Sequence, residues 1–493
     1  MKTLKRSALV ASPLFAMALL SSLLLSSRPA QATMTSLTTP RYIATDLGTL
    51  GGPDAAPSTP GVSISDNGIV LASADTPALD PFAGDPGCLS SPCHVNDAVE
   101  WQNGVMTDLG ALHGYSAGLF ELNGAGVGVG VSETGILDPL TGAPETHAVI
   151  SRNGRLVDLG TLGGYEGWAS GINDYGQVAG YSANITPDPY AQLLSPYPSA
   201  TQWRATLWQS GKPHDLGTLG GPDSLAAFIN EKGQVAGESF TDATPNPVTG
   251  LPTMDPFLWQ NGAMKDLGTL GGTFSYANWM NSFGEVVGFS DLPGDQASHP
   301  FLWDGHSLVD LGTLGGHSGV ANWINQSGTV VGAADLPGSQ THHGFLWHNG
   351  TMQDLPPIGA APCSNAYAVN DSGQVVGNQT DCHGSSHAAV LWEHGSAYDL
   401  NSLIGPSSLH LVEAFYISNN GEIACQATLP NGDVHVVLLV PAGLQSAHGL
   451  SVTSGTSPTA RNPGATARGI RDPRDQFATI RQRLAAATGP RFQ

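Results

Sequence analysis

The sequence predicts an all-β fold, an eight-bladed β-propeller, and three observations carry that expectation. One phrase recurs along the chain, each recurrence divides into four short apolar runs, and the two ends hold complementary fragments of one further unit. Fixed-period self-similarity is the signature of a repeat architecture.

The phrase is DLGTLGG. It stands at 46–52, 158–164, 215–221, 266–272 and 310–316, with looser forms at 108–114, 354–360 and 399–405. The shortest units run 44 residues, from Asp266 to Asp310 and from Asp310 to Asp354. One clean copy reads ANWINQSGTVVGAADLPGSQTHHGFLWHNGTMQDL over 321–355. NQSG separates its first and second apolar runs and HNG its third and fourth, both hairpin signals. Asn and Gly suit such turns because Gly adopts positive φ freely and Asn tolerates it.

The first hairpin recurs as GINDYGQVAG, FINEKGQVAG, WMNSFGEVVG and AVNDSGQVVG, and in weaker forms in repeats 1, 2 and 8. The third run recurs as DPFLW, HPFLW and HGFLW. Consecutive apolar positions there predict a strand covered on both faces. The fourth run is short and ends in Asp-Leu.

The chain ends supply the third observation. RYIATDL at 41–47 is a fourth strand with no third before it, and VHVVLLV at 434–440 is a third strand with no fourth after it. Joined, they complete one blade, and a closed ring removes exposed sheet edges. Seven blades with one degenerate unit, or a β-solenoid, also fit the repeat.

Fifteen residues separate the repeat Asp from the turn Asn in five units, as from Asp266 to Asn281. Fixed length marks this crossing as structural. Leu50, Leu162, Leu219, Leu270 and Leu314 are expected to plug adjacent blades. The connection between second and third strands behaves differently. Counted from six residues after the turn Gly, it runs 23, 15, 22 and 16 residues in the first four repeats and 8 or 9 in the rest. In an up-and-down blade these insertions share a face with the DLGTLGG crossings, and variable loops on a rigid scaffold are where binding resides.

The insertions echo one another as DPFAGDP (80–86), DPLTGAP (138–144) and NPVTGLP (246–252). This is a stiff exposed turn or a recognition turn, offering Phe82, Leu140 or Val248 beside Asp80, Asp138 or an amide. The third insertion, after Asp188, adds Tyr190, Tyr197 and Trp203. Such aromatics suit stacking on sugar or peptide, or they cover the blade edge.

The HPFLW…NG…DLGTLGG…A..IN..G.VVG phrase resembles the HAF-type extracellular repeat of exported bacterial proteins, over roughly residues 41–440. The resemblance implies export and a repeat fold. It brings no established reaction, so no catalytic residue is carried over. Repeat 2 departs with HAVIS in place of the Trp, and repeats 1, 3 and 4 replace the His by Asp97, Arg204 and Asp255. The histidines at this position, His147, His299, His343, His387 and His435, come once per blade and are expected to be structural.

Composition narrows the function classes. Residues 41–440 hold seven basic residues and a net charge of −31, which repels phosphate backbones, so nucleic acid is not expected as a partner. Calcium is the ion this surplus of acids suits, although no Asp-rich ligand loop of known spacing appears. Cys88 with Cys93 and Cys363 with Cys382 are plausible disulfides, leaving Cys425 buried and free.

MKTLKR, an apolar stretch and RPAQA read as a signal peptide over 1–32. The propeller is placed at 33–440 and a basic, Gly/Pro-rich tail at 441–493. No later stretch is long and apolar enough to span a bilayer. A monomer, secreted or at the periplasm or cell surface, is expected.

No catalytic residue is assigned. GxSxG and HExxH are absent, and GAGVGVG at 124–130 lies inside a hairpin with no helix after it. INDYG superficially resembles the Asp-box turns of sialidase propellers, but the body has four arginines for the carboxylate such enzymes bind. The favoured reading is a noncatalytic extracellular propeller that binds a glycan, peptide or surface partner through the insertions of blades 1–4. The alternatives are a hydrolase or lyase with Asp80, Asp85, Asp138 and Asp188 converging at the channel mouth, and a matrix or envelope protein without a small ligand.

Overall fold

The Asn-Gly pairs after the third runs adopt positive φ at both residues, 48° at Asn349 and 80° at Gly350, and so join third strand to fourth by a two-residue hairpin. A computed structural model describes residues 42–444 apart from 58–60, 83–87, 189, 192–198, 247–249 and 384. The expected signal peptide, residues 445–493 of the tail, Asp85, Tyr197 and Val248 lie outside the described residues.

Eight four-stranded antiparallel sheets make a closed ring, a β-propeller. Blades 1 to 7 span 55–110, 117–158, 167–215, 224–266, 275–310, 319–355 and 363–399. Blade 8 takes three strands from 410–441 and its fourth from Tyr42–Asp46, which pairs from Tyr42↔Pro441 to Asp46↔Val437. First strands of successive blades touch from blade 2 to blade 8, so they line the axis. Blade 1 abuts the third strand of blade 8. Apart from a 3-10 turn at Leu400–Ser402, the described elements are strands.

The third strands are buried on both faces, with Phe257, Phe301 and Phe345 at 0% exposure. Each such ring contributes about 2 to 3 kcal/mol by leaving water. The last Gly of the VVG and VAG phrases has its own cause. The first strands of blades 2–7 carry a bulge, as between Ala277 and Trp279. The bulge pushes a carbonyl to 1.9 Å from where a Cβ of Gly288 would stand, and to 2.0 Å at Gly332. A side chain has no room there.

The DLGTLGG phrase is satisfied within itself. The Asp carboxylate accepts the N–H of the Gly two residues on, at 2.7 Å from Gly160 and 2.8 Å from Gly312. The Thr hydroxyl closes onto the carbonyl of the last Gly, at 2.8 Å in Thr161 and Thr313. The first leucine is the buried plug in four copies (Leu47, Leu216, Leu267, Leu311) and half-buried in the fifth, Leu159, while the second (Leu50, Leu162, Leu219, Leu270, Leu314) is half-buried.

The turn Asn has a role that the turn-propensity argument mistakes. Asn173, Asn230, Asn281, Asn325 and Asn370 do not adopt positive φ; the Gly three residues later does. Each Asn side chain instead reaches the next blade. The amide of Asn123 donates to the carbonyl of Asn173 at 3.2 Å, Asn173 to Asn230 at 3.1 Å, and Asn281 to Asn325 at 3.2 Å. Asn230 reaches Asn281 at 3.4 Å, Asn325 reaches Asn370 at 2.9 Å, and Asn370 reaches Ser418 at 3.1 Å. Its Oδ1 meanwhile accepts N–H groups of its own turn, as Asn281 does from Phe283 and Glu285. A belt of amides therefore ties blade 2 to blade 8. Ser65 and Ser418 hold this position in blades 1 and 8.

Candidate functional site

Three hairpins stand out from the ring. The second strands of blades 1–3, Val70–Leu79, Gly128–Leu137 and Val178–Pro187, are ten residues long, against six in blades 4–8. After a break in register, pairing resumes at Leu79↔His94, Leu137↔Pro144 and Pro187↔Thr201. Asp80, Asp138 and Asp188 follow at equivalent positions, on the face that also carries the DLGTLGG crossings.

These acids point inward. Asp80 Oδ1 accepts the N–H of Phe82 at 2.7 Å, and Asp138 Oδ1 accepts that of Leu140 at 2.8 Å. Asp138 Oδ2 also takes the N–H and hydroxyl of Thr141. All three are nine-tenths buried or more. Short carboxylates that cap their own turn give the chain a reason to place Asp before Pro-x-x-Gly. Asp138 with Gly142, and Asn246 with Gly250, close with the same backbone bond. Gly142 N–H donates to Asp138 O and Gly250 N–H to Asn246 O, each at 2.8 Å.

Apolar side chains point outward. Leu79, Ile136, Leu140 and Ile185 are 61%, 60%, 59% and 77% exposed, and Leu137 and Tyr115 are exposed beside them. Phe82 is half-buried against Tyr115, with ring centroids 5.9 Å apart. The result is an aliphatic crest over blades 1–3.

Beneath the crest, each acid meets the first residues of the next blade. Asp80 Oδ2 accepts the Ser116 hydroxyl at 3.2 Å. Asp138 meets Glu166, which also accepts the Ser199 hydroxyl at 3.2 Å. Burial, and then the charge of Asp138, pushes Glu166 up to about 8. Asp188 meets Asp223, whose Oδ1 accepts the Trp203 N–H at 2.8 Å, while Oδ2 of both acids lacks a donor among the described residues. Burial, reinforced by Asp188, holds Asp223 well above the usual carboxylate range.

That pair costs stability as pH rises. With the folded value above the unfolded one, the native pair keeps a proton that the unfolded chain releases above about pH 4. Asp223→Asn places an amide donor against Asp188 and removes this loss. In thermal scans it should raise stability at pH 8 by about 1 to 3 kcal/mol and flatten the decline from pH 5 to 8. A lower midpoint at pH 8 would contradict the assignment.

Asp80, Asp138 and Asp188 do not converge at the channel mouth. Each sits in a separate inter-blade gap, where Asp138 has Glu145 and Glu166 as neighbours. Glu145 is held by Thr134 at 2.9 Å and by His147 at 3.3 Å. Trp203 is not a rim aromatic. It is 1% exposed, donates its indole N–H to Ala191 O at 3.1 Å and packs edge-on against Tyr181, so it covers the blade edge. Tyr190 is half-buried next to Phe240, ring centroids 6.4 Å apart.

The recurrent histidines pair with the repeat Asp of the adjoining fourth strand. Nδ1 lies 2.8 Å from the carboxylate for His147–Asp158, His343–Asp354 and His435–Asp46, and 2.9 Å for His299–Asp310. Arg204–Asp215 replaces the pair in blade 3 at 3.2 Å. Burial alone would lower His147, but its bond to Asp158 and the charges of Asp158 and Glu145 outweigh it and raise the imidazole. His387 is a correction. Ala388 takes the matching register position opposite Gln379, which leaves His387 exposed and one residue out of phase. Both expected disulfides are formed, and Cys425 is buried and free.

A cavity of about 930 Å³ opens on the opposite face, between blades 2, 3 and 4, lined by Arg152, Tyr175, Trp208, Glu231, Lys232 and Trp259. No described insertion residue borders it. Length variation in the loops does not register this cavity, because it is built from the invariant hairpin turns. Among the described residues no helix is long and apolar enough to cross a membrane.

No known family and no curated protein matches the sequence. Solved structures with some likeness include TolB from Acinetobacter baumannii, at 11% identity and TM-score 0.29, over 53% of this chain and 63% of TolB. A gluconolactonase from Xanthomonas campestris shares 13% identity with TM-score 0.25, over 48% of this chain and 81% of its own. Trypanosoma rangeli sialidase shares 9% identity with TM-score 0.31, over 83% of this chain and 61% of its own. The chain thus spans less than two thirds of TolB and of the sialidase. Likeness at this level assigns no activity to this chain.

Proposed function

We propose that this chain is an exported, noncatalytic propeller that binds a peptide or protein surface through the crest of blades 1–3, with the blade 4 insertion as its flank. The observation that carries the reading is the division of labour in the insertions. Their acids are spent on capping turns and filling blade gaps, whereas Leu79, Ile136, Leu140 and Ile185 face solvent. Clustered exposed aliphatics mark docking surfaces in soluble proteins. Flat aliphatic chains suit apolar protein side chains better than sugar rings, and Trp203, offered for stacking, is buried. The signal-like N-terminus, the two disulfides and the resemblance to the HAF-type repeat support export.

Panning a phage-displayed random peptide library on the full chain tests this. Apolar peptides should enrich, bind the Val105→Asp control on the opposite face equally, and lose about tenfold or more on Ile136→Asp/Leu140→Asp. Failure to enrich any peptide, or equal binding by the double variant, would overturn the reading, as would a glycan-array signal that survives it.

The trio Asp138, Glu145 and Glu166 beside His147 favours a second reading, a hydrolase. Turnover on a panel of model hydrolase substrates that Glu166→Gln abolishes would establish it in place of the first.

A further inference from the structure

One slot recurs between blades on the crest face. A residue at or near the start of the third strand there meets the residue at the start of the next blade, as in the parallel bridges Asn96↔Ser116, Thr146↔Glu166 and Met254↔Phe274. In several gaps the backbone N–H of the first donates to the side chain of the second. Trp203 donates to Asp223 at 2.8 Å, Ser298 to Ser318 Oγ at 3.3 Å, and His342 to Cys363 Sγ at 3.1 Å. The scaffold is constant and the chemistry of the slot varies. Between blades 6 and 7 it holds His342 and Cys363, with Cys382 arriving from the end of the second strand of blade 7.

A ligand atom from each of His342, Cys363 and Cys382 lies within 4.8 Å of the other two. The sulfurs are joined as a disulfide, in which neither can bind a metal as thiolate. We infer that reduction of Cys363–Cys382 converts this gap into a three-ligand site for zinc or a similar thiophilic divalent cation. A dithiol reductant, oxidised to its own disulfide, passes two electrons and two protons to the S–S bond and leaves two thiols. The cation then displaces both thiol protons and takes two sulfurs and one imidazole nitrogen, leaving its fourth position to water.

A cation is what allows both sulfurs to be thiolates here, since Cys363 is fully buried and thiolates without one would carry an uncompensated desolvation cost. The His342 backbone N–H already donates to the Cys363 sulfur, the kind of outer support that steadies a metal thiolate. The three ligands also come from separate places in two blades, the third strand of blade 6, the first strand of blade 7 and the turn after its second strand, so the cation would replace the covalent link that reduction removes.

Cobalt(II) is the probe, on the full chain carrying Cys88→Ser, Cys93→Ser and Cys425→Ser so that no other thiol contributes. A water-soluble phosphine supplies the electrons and leaves as its oxide, the oxygen coming from water. The reduced chain should bind a single equivalent of cobalt with sulfur-to-metal charge-transfer absorption and tetrahedral visible bands, both bleached by zinc. The oxidised chain should show neither. Adding His342→Ala should weaken binding about tenfold or more and shift the visible bands. Absence of the charge-transfer band after reduction, its survival in Cys363→Ser/Cys382→Ser, indifference to His342→Ala, or loss of the β circular-dichroism signal on reduction would each overturn the inference.

Discussion

Deleting residues 41–47 should lower the thermal midpoint by on the order of 10 °C. The segment is the outer strand of blade 8 and the join of the ring. Tyr42 and Leu47 are 5% and 6% exposed, and burying each is worth about 2 to 3 kcal/mol. The Tyr42 N–H also donates to Leu403 O and that of Leu47 to Val436 O, each at 3.0 Å. A loss of about 5 kcal/mol in a domain of this size corresponds to a shift of that order. A synthetic peptide of residues 40–48 added in trans should restore much of it, since Val434–Pro441 presents the free edge. An unchanged midpoint, or a drop that the peptide leaves untouched, would mean that the ring does not depend on this closure.

The second large effect lies in the belt of amides. Asn281→Ala should cost about 3 kcal/mol. It removes a donor to Asn325 O and leaves the N–H groups of Phe283 and Glu285 without their acceptor. Asn281→Gly separates two explanations. Were the residue selected for backbone freedom, Gly would be neutral; with the side chain as the working part, Gly should cost as much as Ala. Asn349→Gly, at φ 48°, supplies the contrast and should be neutral within about 0.5 kcal/mol. Denaturant unfolding of the three variants measures all of this. A mild Asn281→Gly beside a severe Asn281→Ala would contradict the belt.

The architecture was legible because its determinants are local or repeated. Turn pairs, strand lengths and the orphan strands at either end announce a blade count and its closure without any long-range knowledge. Insertion lengths were legible for the same reason. The counted positions, such as Ala74 with Asp97 and Ser182 with Arg204, are register partners in the sheet. What escaped was chemistry between blades. Asn123 and Asn173 bond across 50 positions and Asn173 and Asn230 across 57, so their motif looks like ordinary turn propensity. The VVG glycine escaped because the carbonyl that excludes a side chain belongs to a bulge in another strand. Trp203 lies in an insertion, which suggests exposure, yet the insertion folds back over it. The blade 7 position was misjudged because His387 stands one residue before the register site, and one residue reverses the face of a strand.

The lengthened insertions of blades 1–3 were legible in the sequence, and the polarity of their side chains was misread. The acid that draws attention is internal, and the plainer leucine or isoleucine is what solvent meets.

Hydrogen exchange of the full chain with and without its best-enriched peptide tests the central claim most directly. Protection over 76–82, 134–142 and 184–187, with none at 152–158, 175–178 or 231–233, is the result expected of a crest that binds. Protection confined to the cavity around Arg152, Tyr175 and Lys232 would contradict it and move the binding face to the other side of the ring.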